Sequence, residues 1–133
     1  MCKMTVHVSA PDRPPAPLPA ELHYDMADPY AVRLSLGVAA ARPVDWVFAR
    51  SLLTGGLRRP TGTGDVLVTP RPRCHPHSLR ILLRSAAGAA LIEIAESAVA
   101  EFLRRTVLLV PPGTESHHID MDRALAELTG RRD

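Results

Sequence analysis

Apolar and polar residues alternate along much of the chain, which is the period of a β-strand with one buried face. The clearest stretch covers residues 30–38, where Val32, Leu34 and Leu36 alternate with Arg33 and Ser35. Similar patterns predict strands at 4–8, 21–24, 65–69, 79–84 and 89–95. Short turn-like segments separate the last three, so we expect three consecutive antiparallel strands there.

The apolar spacing changes after residue 95. From Ala98 to Val110 apolar residues recur every three or four positions, which predicts an amphipathic helix containing Phe102. Ser97 is the expected N-cap, and the Pro-Pro-Gly at 111–113 is the expected stop. A final short helix is predicted from an Asp120 cap to Gly130.

Two segments are harder to interpret. Residues 42–56 begin with residues of high strand propensity around Trp46, which favour a strand. A short helix should follow this strand and end at Gly55 or Gly56. A single longer helix remains the alternative. Residues 9–20 contain five prolines, and because proline lacks the backbone N–H, we expect a loop or an extended arm there.

The predicted order is about three strands, a short helix, three strands and two helices. Strands followed by helices are typical of an α+β fold, and we expect mainly antiparallel β-sheets packed with the helices. With 133 residues, 46% of them hydrophobic, the chain is long enough for a single domain spanning 1–133. No run approaches a membrane helix in length, and we expect a cytoplasmic protein.

Charge is distributed unevenly along the chain. Residues 50–92 hold seven arginines and one acidic residue, a net charge of +6, whereas the remaining nine basic and thirteen acidic residues give −4. Such polarity can orient a protein on a charged partner. The candidate partner surface consists of Arg58, Arg59, Arg71 and Arg73.

The segment GLRRPTGTGDV at 56–66 raises the question of nucleotide binding. A Walker-type phosphate loop needs a lysine after its last glycine, and a dinucleotide-binding loop must open a helix. Here no lysine follows any glycine, and Gly64 leads into β-branched residues. We therefore interpret Gly62 and Gly64 as positions that need a positive φ or a bulge before a strand.

No other motif indicates catalysis. Cys74, His75 and His77 could bind a metal only with distant additional ligands, and no nucleophile accompanies His117 and His118. We expect no catalytic site, no metal and no cofactor. Single-stranded nucleic-acid binding would need aromatics interleaved with the arginines, and the chain has only five aromatic residues.

Five motifs resemble the SsgA-like family of spore-forming, filamentous actinobacteria, and within it the SsgB-type members. The motifs are YDMADPYAV (24–32), VDWVFARSLL (44–53), GLRRPTGTGDV (56–66), FLRRT (102–106) and VPPGTE (110–115). The matching positions expected to be structural are Asp28, Pro29, Trp46, Gly62, Gly64 and Phe102.

The resemblance implies a non-enzymatic regulator of sporulation-specific cell division. It implies a small cytoplasmic scaffold, recruited to septum sites, that contacts the tubulin-like division protein FtsZ or a family paralogue. It also implies a homo-oligomer, expected to be a trimer, and a fold like that of the whirly-type single-strand-nucleic-acid binders. Nucleic-acid binding by such a whirly-like fold is the alternative function.

Overall fold

The computed structural model describes residues 1–11, 13–37, 44–62, 64–70, 76–86 and 88–128. These residues form seven strands and three helices. In chain order the elements are β1 (Cys2–Ala10), β2 (Arg13–His23), β3 (Ala31–Leu36), β4 (Val44–Ala49), α1 (Arg50–Gly56), β5 (Val66–Pro70), β6 (Ser78–Ser85), β7 (Gly88–Ala95), α2 (Glu96–Leu109) and α3 (Glu115–Leu128).

The strands form one sheet in the order β4-β3-β2-β1-β7-β6-β5, and every neighbouring pair is antiparallel. The sheet is curved into a near-barrel. Trp46 on β4 and Leu83 on β6 therefore line the same cleft, although four strands separate them in the sheet order. The expected α+β fold with antiparallel strands is confirmed. Four strands precede α1 rather than about three, and the segment around Trp46 is a strand followed by a helix.

The proline-rich segment was predicted as a loop or arm, and that prediction is wrong. It forms most of β2, which pairs with β1 from Arg13 to Leu22. The carbonyl of Pro19 accepts a hydrogen bond from Gly37 beyond the end of β3, so its backbone faces away from β1. Pro17 lies two positions before Pro19 and shares this direction, whereas Pro14 and Pro15 lie where the β1–β2 register shifts. The missing N–H groups of Pro17 and Pro19 would have pointed to the side of β2 away from β1, so the β1–β2 ladder loses no hydrogen bond at these two positions.

The core lies on the concave face of the sheet, beneath α1 and α2. Helix α2 contributes Val99, Phe102 and Leu103, which are buried with Leu53 of α1. The largest fully buried side chains of the sheet are Leu22, Leu34, Leu79, Ile81, Leu83, Ile92 and Ile94. The alternation seen in the sequence therefore separates a buried face of the sheet from an outer one.

The two C-terminal helices begin earlier than predicted. Helix α2 starts at Glu96, and its N-cap is Ala95, which has no side-chain hydrogen bond, so Ser97 is not the cap. Helix α3 starts at Glu115 rather than after Asp120. The backbone N–H of Gly113 donates to Glu115 Oε1 over 2.8 Å, which organises the turn that opens α3. The expected stop at Gly130 lies outside the described residues.

Trp46, one of the residues expected to be structural, is half-buried. It lies on the edge strand β4 opposite Leu34 and packs against the rim of the core. Phe102, by contrast, is buried as expected, with 2% of its surface exposed. Because part of the indole is already in water, removing it would lose less burial than removing a fully enclosed ring.

Candidate functional site

Arg50, the first residue of α1, is the most connected polar side chain of the described structure. The residue is 4% exposed, and its guanidinium donates to the carbonyl of Val110 over 2.8 Å and to Glu115 Oε2 over 2.7 Å. Longer contacts of 3.3 Å reach the carbonyl and the hydroxyl of Thr106. A buried arginine needs such partners, because an uncompensated charge inside a protein is costly.

Arg50 also holds the β2–β3 loop. Its guanidinium lies 5.1 Å from the centre of the Tyr24 ring, within range of a cation–π interaction. The Tyr24 hydroxyl donates to the carbonyl of Pro29 over 2.8 Å, and burial raises the pKa of Tyr24 above its usual value. The backbone N–H of Arg50 donates to the carbonyl of Tyr30. We call Tyr24, Arg50, Thr106, Val110 and Glu115 the Arg50 junction.

The Arg50 junction explains four of the five sequence motifs. YDMADPYAV supplies Tyr24 and the Pro29 carbonyl, VDWVFARSLL supplies Arg50, FLRRT supplies Thr106, and VPPGTE supplies Val110 and Glu115. Asp28 accepts through its carbonyl from the Ala31 N–H in the same loop. These motifs therefore build a junction that joins the β2–β3 loop, α1, α2 and α3.

Sequence reasoning missed Arg50. Its side-chain partners lie 56 to 65 positions away in the chain, so no local spacing connects them. The one feature of the sequence that pointed to Arg50 is its position directly after an apolar segment of high strand propensity. An exposed arginine at the start of a helix would occupy the same position.

Glu115 joins α3 to the body of the protein. The hydrogen bond from Arg50 lowers the pKa of the Glu115 carboxyl below its ordinary value of 4.5, and its own backbone N–H and that of Gly113 lower it further. A carboxyl with a lowered folded-state pKa stabilises the fold above its unfolded pKa. That contribution is lost as the pH falls through the folded value.

We expect Glu115→Gln to change the acid sensitivity of the fold. At pH 7 the variant should unfold at a lower urea concentration than the unsubstituted protein, because the charge on Glu115 is missing. Below pH 4.5 the difference should shrink, since the carboxyl of the unsubstituted protein also becomes neutral. Urea midpoints between pH 7 and pH 3 measure it, with Asp65→Asn, an exposed carboxylate, as control. A difference independent of pH would contradict the assignment.

The glycine-rich segment makes a turn against β5. Thr61 exchanges two backbone hydrogen bonds with Val68, of 2.8 and 2.9 Å. Gly62 has a φ of 114°, and a Cβ there would overlap the carbonyl oxygen of Val66. Its predicted positive φ is confirmed. Gly64 does not have a positive φ and has open space around it, so of the two roles predicted for Gly64 the positive φ is wrong, and the bulge before β5 stays a prediction.

Arg58 and Arg59 follow α1 and are exposed. Both backbone N–H groups donate to the carbonyl of Gly55, so the tight turn fixes where the two side chains start. Arg71 and Arg73, the other members of the candidate partner surface, lie outside the described residues. Cys74 and His75 do as well.

A groove of about 670 Å³ lies beside the Arg50 junction. Tyr24, Asp25, Met26 and Asp28 of the β2–β3 loop form one side of it. The remaining lining residues are His23, Ala31, Val32, Arg33, Val47 and Leu109. Met26, Val47 and Leu109 expose 42%, 62% and 49% of their surface, so the groove offers apolar contacts next to carboxylates.

The aromatic residues do not form a platform for stacking bases. Phe48 and Phe102 are buried, and Tyr24 and Trp46 are half-buried, which leaves Tyr30 as the exposed aromatic of the chain. Stacking on successive aromatic rings is the usual means of binding single strands. The arrangement therefore does not favour nucleic-acid binding.

Across the described ranges no cluster of three or more His, Cys, Asp or Glu is placed to hold a metal, and no helix could cross a membrane.

Comparison with known proteins gives consistent matches over nearly the whole chain. Residues 18–115 match the family model described as "Streptomyces sporulation and cell division protein, SsgA". The sporulation-specific cell division protein SsgB of Streptomyces coelicolor is 44% identical over 127 residues, 96% of this chain and 93% of that protein. SsgB of Thermobifida fusca is 43% identical over 126 residues, 95% of this chain and 91% of the relative.

Two solved structures share the fold. The crystal structure of an SsgA-like sporulation-specific cell division protein from Thermobifida fusca superposes with a TM-score of 0.85 at 43% identity, covering 95% of this chain and 92% of the other. An SsgB structure, connected with mutations that correlate to longitudinal cell division during sporulation of Streptomyces coelicolor, has a TM-score of 0.80 at 47% identity and covers 88% and 92%. The chain therefore belongs to the SsgA family of sporulation and cell division proteins.

Proposed function

We propose that the protein is a non-enzymatic scaffold of sporulation-specific cell division, which acts in the cytoplasm and is recruited to septum sites. It helps to position septa by binding FtsZ or a paralogue of the SsgA family. The observation that carries this proposal is the similarity, over 96% of the chain, to a protein named for sporulation-specific cell division. The Arg50 junction supports it, because the shared motifs serve the fold rather than a reaction.

Deletion of the gene in its sporulating host tests the proposal. A fluorescently tagged copy should appear at future septum sites and restore septation in the deletion strain. Tagged protein spread evenly through the cell, together with normal septa in the deletion strain, would contradict the proposed role.

The proposed scaffold is a homo-oligomer, with a trimer as the expected state. Support comes from the last turn of α2, where Val107, Leu108 and Leu109 expose 40%, 71% and 49% of their surface. Three adjacent exposed apolar residues are typical of a contact surface for another protein. Light scattering at micromolar concentration should give about three times the chain mass of 14.4 kDa, and a monomer would contradict this part of the proposal.

The exposed pair Arg58 and Arg59 is the proposed contact for a carboxylate-rich partner surface, because guanidinium groups bind carboxylates in a bidentate manner. Arg71 and Arg73 remain part of the same proposed surface. We expect Arg58→Glu with Arg59→Glu to leave the unfolding midpoint nearly unchanged, since both side chains lie in water. Recruitment to septum sites should weaken strongly.

The control is Arg104→Glu with Arg105→Glu, another pair of adjacent exposed arginines, which lie on α2 and are both bonded to Glu101; it should keep normal recruitment, with a lower melting temperature because these exposed ion pairs are lost. Septum fluorescence per cell and the melting temperature of the purified variants measure the two effects. Unfolding of the Arg58/Arg59 variant would show that these arginines are structural. Unchanged recruitment would remove them from the partner surface.

A further inference from the structure

The sheet has two edge strands, β5 and β4, and they differ in how far their outer backbone groups are protected from pairing with another strand. The backbone of Val68 on β5 is already paired with Thr61 through two hydrogen bonds. Within the described part of the chain, β4 has one strand neighbour, β3. Its other side is a row of backbone groups available to another strand.

The register shows which residues of β4 present these groups. The N–H of Arg50 donates to the Tyr30 carbonyl on the β3 side, directly after the pairs of the β3–β4 ladder. Backbone groups alternate in direction along an antiparallel strand, so Trp46 and Phe48 also bond toward β3. Asp45 and Val47 therefore direct their N–H and C=O groups toward the open edge.

Apart from the charge of Asp45, the side chains on β4 do not protect this edge. Natural edge strands usually carry lysine, proline or a bulge that prevents pairing with another chain. The sequence of β4 is VDWVFA, without lysine or proline, and its pairing with β3 is regular from Val44 to Ala49. Val44 and Val47 expose 54% and 62% of their surface, so the strand offers apolar contacts on both faces.

Among the residues that the structure describes, the charge next to this edge is mainly negative. Asp45 is exposed on β4, and Asp25 and Asp28 are exposed in the groove that Val47 also lines. Arg33 is the permanent cation among the residues lining that groove, and His23 is paired with Glu21 over 2.8 Å. An occupant with apolar and basic residues complements this combination of valines and carboxylates.

We propose that the open edge of β4 binds an extended segment of a partner protein in which apolar residues alternate with lysine or arginine. The segment pairs its backbone with Asp45 and Val47 and places a basic side chain opposite Asp45. Its continuation enters the groove, where Asp25 and Asp28 bind further basic side chains. This inference deepens the proposed function and rests on it, because it gives the scaffold a second, acidic docking surface.

A synthetic peptide of about ten residues with alternating lysine and valine is the probe, since strands of this length are common. We expect saturable binding to the full-length protein by fluorescence anisotropy. Binding should slow amide hydrogen exchange at Asp45 and Val47, while Trp46 and Phe48, already bonded to β3, change little. The double variant Asp45→Lys with Val47→Lys should weaken binding by roughly tenfold or more.

Three controls separate strand pairing from charge attraction and from loss of the fold. A proline peptide of the same charge, in which one central lysine and the valine next to it are both replaced by proline and the lysine is restored at one end, should not bind, because donors on both sides of the strand are then lost. A glutamate-valine peptide should not bind either. Leu128→Lys, at a residue 82% exposed on α3, is the matched protein variant and should bind like the unsubstituted protein. Circular dichroism verifies that each variant is folded.

No binding of the lysine-valine peptide, equal binding of the proline peptide, or equal binding to the double variant would each overturn the proposal. An assembly of the unsubstituted protein that the double variant converts to monomers would do so as well, because the edge would then belong to a second copy. All four results are independent of the septation phenotype, so failure here leaves the proposed function in place.

Discussion

Arg50→Met should lower the free energy of unfolding by about 3–5 kcal/mol, the cost typical of removing one partner of a buried ion pair. The substitution leaves the carboxylate of Glu115 and the carbonyl of Val110 without the donor they have in the fold. It also removes the cation near the Tyr24 ring. Urea unfolding, monitored by far-UV circular dichroism, measures the difference.

Arg104→Met is the control for this experiment. Arg104 is bonded to Glu101 at the same distance of 2.7 Å, but its side chain is 60% exposed. Exposed pairs contribute about 1 kcal/mol or less, so the control should be nearly neutral. Adding Glu115→Gln to Arg50→Met should cost less than the sum of the two single effects, because it removes the unpaired carboxylate. Equal stability of the Arg50 and Arg104 variants would contradict the assigned role of the junction.

Gly62→Ala should lower the free energy of unfolding by about 2–4 kcal/mol, because a strained φ and a steric overlap act together. The φ of 114° is unfavourable for any residue with a Cβ, and that atom would overlap the carbonyl oxygen of Val66. Relief would require moving the backbone that carries the Thr61–Val68 hydrogen bonds. Thermal unfolding of the purified variants measures the effect.

Gly64→Ala, two positions along the same turn, is the matched control. A Cβ at Gly64 meets no atom within 4 Å, and its φ is not positive. Replacing a glycine under these conditions changes stability by about 1 kcal/mol or less, often in the stabilising direction, because the unfolded chain loses freedom. A large loss at Gly64 or a neutral result at Gly62 would contradict the geometry of the turn.

The sequence predicts those parts of the fold that depend on local patterns. Alternation identifies β3 and β6, and the change of period at residue 95 identifies α2, because each pattern reflects which face of one element is buried. The end of β2 was predicted as a strand at 21–24, but its proline-rich part, residues 13–20, was missed. Whether a proline is tolerated in a strand depends on which side its nitrogen faces, and that depends on the neighbouring strand.

The candidate site was less accessible to sequence reasoning. Exposure of Arg58 and Arg59 follows from local turn chemistry and agrees with the structure. Arg50 could not be distinguished from an exposed arginine, because its partners on α2 and α3 reach it only after the chain has folded. The difference between Gly62 and Gly64 likewise depends on how close the backbone of β5 passes.

The prolines of β2 affect how the protein aggregates at high protein concentration. Beyond Pro19, toward the β1–β2 turn, this strand has no bonded neighbour on its second side in the described chain. Pro17 directs a ring carbon there where another residue would offer a hydrogen-bond donor, and Pro14 and Pro15 have no N–H to offer, so a foreign strand finds no matching ladder. Many copies can therefore crowd together without stacking into fibrils through this margin.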